Sequence, residues 1–211
     1  MLPIYVSYDS KITDFEQKAI IEGLKEISSV FPGGEVVVFG SMAWSEGDYS
    51  SADWYVARAK KVMHRGRGLQ LDAASLLGLM TNEPWQRTKP HIDVFFTSYD
   101  LTAPGLNFCF GMASGRLTVQ SVARYRVLPA ADRYLAIKSV VQHELGHVYG
   151  LAGDLRRPNT EQNLGPHCTN YGCIMRQSLT LELWVQHARE ARAMGRVYCP
   201  QCLADARRST L

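Results

Sequence analysis

The chain has 211 residues, 46% of them apolar, and a formal net charge of +3. That is enough apolar material for one domain with a real core, and the balance excludes a disordered or strongly basic nucleic-acid-binding chain. No apolar run approaches the length of a membrane span, and the opening Met-Leu-Pro-Ile-Tyr-Val-Ser-Tyr-Asp has none of the parts of a signal peptide, so a cytoplasmic chain with reduced cysteines is the expectation.

Residues 3 to 8 read as a first strand. Thr13-Asp14-Phe15-Glu16 fits a capping box, and Ile20, Leu24, Ile27 and Phe31 then recur at helical spacing until Pro32-Gly33-Gly34. Glu35 to Phe39 has the continuous apolar run of an interior strand. Residues 40 to 68 carry little pattern and read as a long connection, with His64 solvated inside it. Leu69 to Met80 reads as a helix with Leu71, Leu76, Leu79 and Met80 inward. Ile92 to Thr97 reads as a strand, preceded by a structural or solvated His91. Leu106 to Gly111 and Leu117 to Val122 read as two more, with Gly111 to Arg116 closing a hairpin between them. An edge strand beside a cleft could pair with an extended peptide. Cys109, far from the other cysteines, reads as a small buried apolar residue.

Pro129-Ala130-Ala131-Asp132 opens a long helix whose Ile137, Val141, Leu145 and Val148 face a sheet. The same helix carries His143-Glu144-Leu145-Gly146-His147. Positions four apart share a helical face, so two imidazoles can grip one metal ion, with Glu144 within reach of a bound water. Gly150 lets the helix stop and the chain turn back. A third histidine would complete the pattern six residues after His147, but Gly153 stands there. His167 follows a segment rich in Gly, Pro, Asn and Arg, and Asp154 is a competing ligand.

Cys168 and Cys173 form one pair, and Cys199 and Cys202 another. Between them Leu181, Trp184, Val185 and Ala188 give a helix its buried stripe, Gly195 ends it, and His187 lies off the stripe, where exposure is expected. Four thiolates satisfy tetrahedral zinc with no open position, which makes such a site structural. Two disulfides or free thiols are the other reading.

Taken together, His-Glu-x-x-His-x-x-Gly, then His-Cys-x4-Cys-x-Met, then Cys-x-x-Cys resemble the archaemetzincin family of zinc peptidases, over roughly residues 69 to 202. Pro104 to Phe108, Phe110-Gly111 and Val119 to Arg124 resemble that family's segment before the metal helix. The resemblance implies an α+β, metzincin-like zincin fold: a mixed sheet, a long metal-bearing helix, and a small C-terminal lobe with a four-cysteine zinc site. Residues 1 to 150 would form the upper lobe and 151 to 211 the lower lobe of one catalytic domain. It further implies a catalytic zinc on His143, His147 and His167, Glu144 as base, a structural zinc on Cys168, Cys173, Cys199 and Cys202, and Met175 as the Met-turn residue.

The displaced histidine departs from the family pattern, as does a long interval from Met175 to Cys199. Since His167 directly precedes Cys168, an insertion of residues 151 to 166 accounts for the displacement, and that loop could cover the cleft. The expected function is a zinc metallopeptidase acting on peptides or proteins as a monomer, without nucleic-acid or membrane partners. The alternative is a zinc-stabilised scaffold without catalysis, favoured if His167 cannot reach the other two histidines.

Overall fold

The computed structural model describes residues 2–31, 34–42, 51–64, 66, 68–153 and 156–206, with the backbone alone at Pro84 and Trp85. In chain order the elements begin β1 (Ile4–Tyr8), α1 (Asp14–Val30), β2 (Val36–Gly40), α2 (Asp53–Arg58), β3 (Lys61–His64), β4 (Gly68–Asp72), α3 (Ala73–Thr81) and α4 (Pro84–Thr88). They continue with β5 (Ile92–Thr97), β6 (Asp100–Thr102), β7 (Gly111–Ser114), β8 (Leu117–Ser121), α5 (Ala130–Val148), β9 (Thr160–Glu161), β10 (His167–Cys168), α6 (Leu181–Ala193) and α7 (Pro200–Ala206).

A five-stranded sheet in the order β2-β1-β5-β8-β7 carries the fold. Its first four strands run parallel, and β7 returns antiparallel along β8. Successive side chains leave opposite faces of a strand. Ile4, Val6, Ile92, Val94 and Phe96 therefore join the core that includes α1 and α5, while Phe95, Leu117 and Val119 pack with α2 and α3. The Thr13 hydroxyl accepts from Glu16 N–H at 3.4 Å and the Glu16 carboxylate accepts from Thr13 N–H at 2.9 Å, closing the capping box that starts α1. Such a cap contributes about 1 kcal/mol. The residues expected to end α1 at Pro32-Gly33 lie outside the described set.

Several expectations are corrected. β2 is an edge strand, not an interior one: among described residues it pairs with β1 only, and Val38 is 41% exposed. Its run of β-branched residues reflects strand propensity rather than burial on both faces. The stretch from 51 to 64 is structured, with α2 and β3, and β3 pairs antiparallel with β4. The expected helix from Leu69 is a strand up to Asp72, where the Asp72 carboxylate accepts from Ser75 N–H at 2.9 Å and caps α3. Leu69-Gln70-Leu71 alternates apolar and polar in sequence as a strand does, and the structure buries Gln70 and Leu71 while Leu69, nearer the start of β4, stays exposed. Residues 106 to 110 form no strand. The first two carbonyls turn to side chains instead: Leu106 accepts from Thr102 Oγ1 and Asn107 from Gln70 Nε2, and only an isolated bridge from Cys109 to Leu101 follows. The hairpin itself runs β7 to β8 around Gly115-Arg116, with Gly115 at φ +57°.

Candidate metal centre

α5 lies against the sheet through Ile137, Val141 and Leu145, all fully buried, and its last turn delivers His143, Glu144 and His147 to a cleft. Gly150 at φ +71° reverses the chain. His143 Nδ1–H donates to the Ile174 carbonyl at 2.8 Å, and His167 Nδ1–H to the Gly165 carbonyl at 2.9 Å. A carbonyl only accepts, so each of these Nδ1 atoms carries the proton and each Nε2 keeps its lone pair. His143 Nε2 and His147 Nε2 lie 3.2 Å apart, close to the ~3.4 Å edge of a tetrahedron with ligand nitrogens near 2.1 Å. One nitrogen from each of His143, His147 and His167 lies within 4.8 Å of the others. Burial, then the neighbouring imidazoles, hold His143 and His147 neutral, His147 at about 3. Three neutral imidazoles, those of His143 and His167 buried and that of His147 half-buried, with converging nitrogens are a donor set for zinc.

The segment from Arg156 onward explains how His167 arrives. It folds back as a short hairpin in which Glu161 pairs with His167 and Thr160 with Cys168, and the Asn159 carbonyl accepts from Thr169 N–H at 3.0 Å. Leu164, Gly165 and Pro166 from the same hairpin line the cleft. Asp154, the competing ligand, lies outside the described residues.

Glu144 is 6% exposed and faces a cleft of about 550 Å³. Burial pushes its carboxyl up to about 8. β7 passes directly over it: a methyl group on Gly111 would lie 2.6 Å from Glu144 Oε1. His167, Gln177 and Ser178 also line the cleft. Met175, fully buried, packs under the metal helix, where a methyl on Gly146 would lie 2.2 Å from its sulfur. Trp184 sets its ring edge-on to His143 at 5.3 Å and donates its indole N–H to the Ala136 carbonyl. Sequence periodicity had assigned Trp184 to packing alone. The steric demands on Gly111 and Gly146 had no sequence signal, because they are set by partners distant in sequence.

Cys168, Cys173, Cys199 and Cys202 converge below, all buried and unbridged. Cys168 and Cys199 sulfurs lie 3.7 Å apart, Cys173 and Cys202 sulfurs 3.6 Å. A disulfide needs about 2.05 Å, whereas the edge of a tetrahedron with sulfurs 2.3 Å from an ion is about 3.8 Å. N–H groups also point at the sulfurs: Asn170 N–H at Cys168, the Asn170 amide at Cys199, Cys199 N–H at Cys173. This is the environment of metal-bound thiolates. Cys109 stands apart, half-buried, and burial pushes its thiol up to about 12. His187, expected to be exposed, is 4% exposed: its face of α6 is covered by the preceding segment, where Ser178 Oγ meets its Nδ1 at 2.8 Å. His91 is buried and stacks on Tyr5.

A family model, that of peptidase family M54, matches residues 86–208. The archaemetzincin of Thermococcus kodakarensis is 32% identical over 117 residues, 52% of this chain and 52% of that protein. The archaemetzincin of Methanopyrus kandleri is 42% identical over 90 residues, 40% of this chain and 42% of that protein. The chain spans about half the length of the curated relatives it matches. In structure, the crystal form of the Methanopyrus kandleri archaemetzincin superposes with a TM-score of 0.66 at 23% identity, covering 98% of this chain and 94% of the other. That of Archaeoglobus fulgidus gives 0.57 at 23%, covering 97% and 99%. The α+β fold with its mixed sheet is that of these proteins.

Proposed function

The chain belongs to peptidase family M54, and from that premise we propose that it is a zinc-dependent peptidase whose catalytic ion is held by His143, His147 and His167. The observation that carries this reading is the convergence of those three imidazoles at the floor of a cleft, beside a buried glutamate. Zinc held by these histidines would supply an acidified water and polarise the scissile carbonyl. Glu144 takes the proton from the attacking water and passes it to the leaving amine. Its burial makes it a stronger base than an exposed glutamate. The Ile174 and Gly165 carbonyls hold His143 and His167 in the tautomer that offers Nε2. β7, at the sheet edge along the cleft, suits pairing with an extended peptide or protein segment. The four cysteines would hold a second, structural zinc, giving two ions per chain.

The scaffold alternative rested on a third histidine out of reach. With the His167 ring centroid 5.2 Å from that of His143 and 4.9 Å from that of His147, that support is gone. The test is hydrolysis of a quenched peptide library by the zinc-loaded protein, lost to a chelator and restored by zinc. Glu144→Gln should lower kcat by roughly 10²–10⁴-fold. An undiminished kcat in Glu144→Gln would overturn the assignment of the base, and a zinc-loaded wild type that cleaves nothing would overturn the peptidase reading.

A further inference from the structure

Arg156 is a cation in the inserted segment that the peptidase mechanism does not use, and it is 8% exposed. A guanidinium has five N–H donors, and all five find acceptors. Nε donates to the Pro158 carbonyl at 3.1 Å. Nη1 donates to Asp205 Oδ2 at 2.9 Å and to Cys202 Sγ at 3.1 Å. Nη2 donates to the Asn159 carbonyl at 2.8 Å and to Cys168 Sγ at 3.0 Å. The fork thus spans the two cysteine pairs, touching one sulfur of each. Its carbonyl partners belong to the turn that leads into β9, and β9 pairs with the strand that carries His167.

We propose that Arg156 is an outer-sphere partner of the four-cysteine metal site, neutralising part of its negative charge and tying the hairpin that presents His167 to that site. The proposal rests on the reading that the cysteines hold a metal. Four thiolates around a dication carry a net charge of −2, and a buried excess charge is costly unless donors face it. Backbone or asparagine N–H groups face Cys168, Cys173 and Cys199, Cys202 has the guanidinium, and the guanidinium is the charged donor at both Cys202 and Cys168. A cation there offsets part of the excess negative charge and disfavours protonation of two of the thiolates, so the metal is harder for a competing chelator to strip. The insertion therefore does more than lengthen the chain between Gly150 and His167. It brings its own anchor, and the anchor point is the structural metal.

The test uses the cobalt(II)-substituted full chain, read by sulfur-to-cobalt charge-transfer absorption, which only thiolate-bound cobalt gives. Addition of excess EDTA then times the loss of that band. Arg156→Met, similar in length but without charge or donors, should shift the band and speed its loss by roughly 10–100-fold. Arg156→Lys, which keeps the charge but not the fork, should fall between Arg156→Met and wild type, and it carries the test if the methionine variant does not fold. Rates for both variants within twofold of wild type, with the band unmoved, would overturn the role of Arg156. A wild type that gives no charge-transfer band would overturn the prior reading of the cysteine site, and the proposal with it.

Discussion

Gly111 and Glu144 touch across the cleft. The strand that borders the site leaves no room for a side chain at Gly111, since a methyl there would lie 2.6 Å from Glu144 Oε1 and 2.8 Å from its Cδ and Cγ. The sheet edge thus fixes where the carboxylate can stand. Gly111→Ala must push Glu144 aside or bend β7. A misplacement near 1 Å costs roughly 100-fold in rate. Gly111→Ala is expected to lower kcat by about that factor while zinc content stays at the wild-type value. Unchanged kcat on the peptide library would show that the contact does not position the base.

Gly146 makes the equivalent demand on the other side of the helix, against the Met175 sulfur. Met175 is fully buried, so it has little space to retreat. Gly146→Ala should cost about 1–3 kcal/mol through overpacking, read as a lower urea midpoint at unchanged m. Gly146→Ala combined with Met175→Ala should recover part of the overpacking cost, because the clash is removed. A double variant whose loss equals the sum of the single losses would contradict a direct contact.

Asp93 supplies a pH dependence that is independent of the metal sites. It is fully buried on β5, and burial pushes its carboxyl up to about 8, against the pull of the Gln86 amide and Val94 N–H. His91 Nε2 is 4.0 Å from it, but burial lowers the proton affinity of that imidazole, which leaves no full charge to pair with. Unfolded, an aspartate ionises near pH 4. Between about pH 4 and 8 the folded chain keeps a proton that the unfolded chain has released, so this contribution to stability is full below that window and is lost as pH rises through it. The difference in Tm between Asp93→Asn and wild type should therefore move in favour of the variant from pH 5 to pH 9. A pH-independent difference would mean that Asp93 is ionised throughout.

Much of the site was legible because its signals are local. His143, Glu144 and His147 share one helical turn, and each cysteine pair sits within a few residues. The capping box at Thr13 and the apolar stripe of α5 were readable for the same reason. β2 was misread as interior because three valines in a row record strand propensity, and only its pairing with β1 alone reveals an edge. Leu69 to Asp72 was misread as helix because the Asp72 cap was overlooked. The strand expected at 106 to 110 failed because Gln70 and Thr102 take the carbonyls a ladder would use. His187 was placed at the surface because periodicity sees one helix and not what packs against it. Gly111 depends on Glu144, and Arg156 on Cys202 and Asp205, partners far along the chain that no short window of sequence contains.

In the proposed site His167, carried in on the β9–β10 hairpin, shares one zinc ion with His143 and His147. The most direct test is zinc per chain by elemental analysis, for the wild type and His167→Ala side by side, after gel filtration against a weak chelator. Two zincs are expected in the wild type and about one in the variant, with the cysteine site still filled. Two zincs in both would contradict this ligand set, because the third ligand would then lie elsewhere.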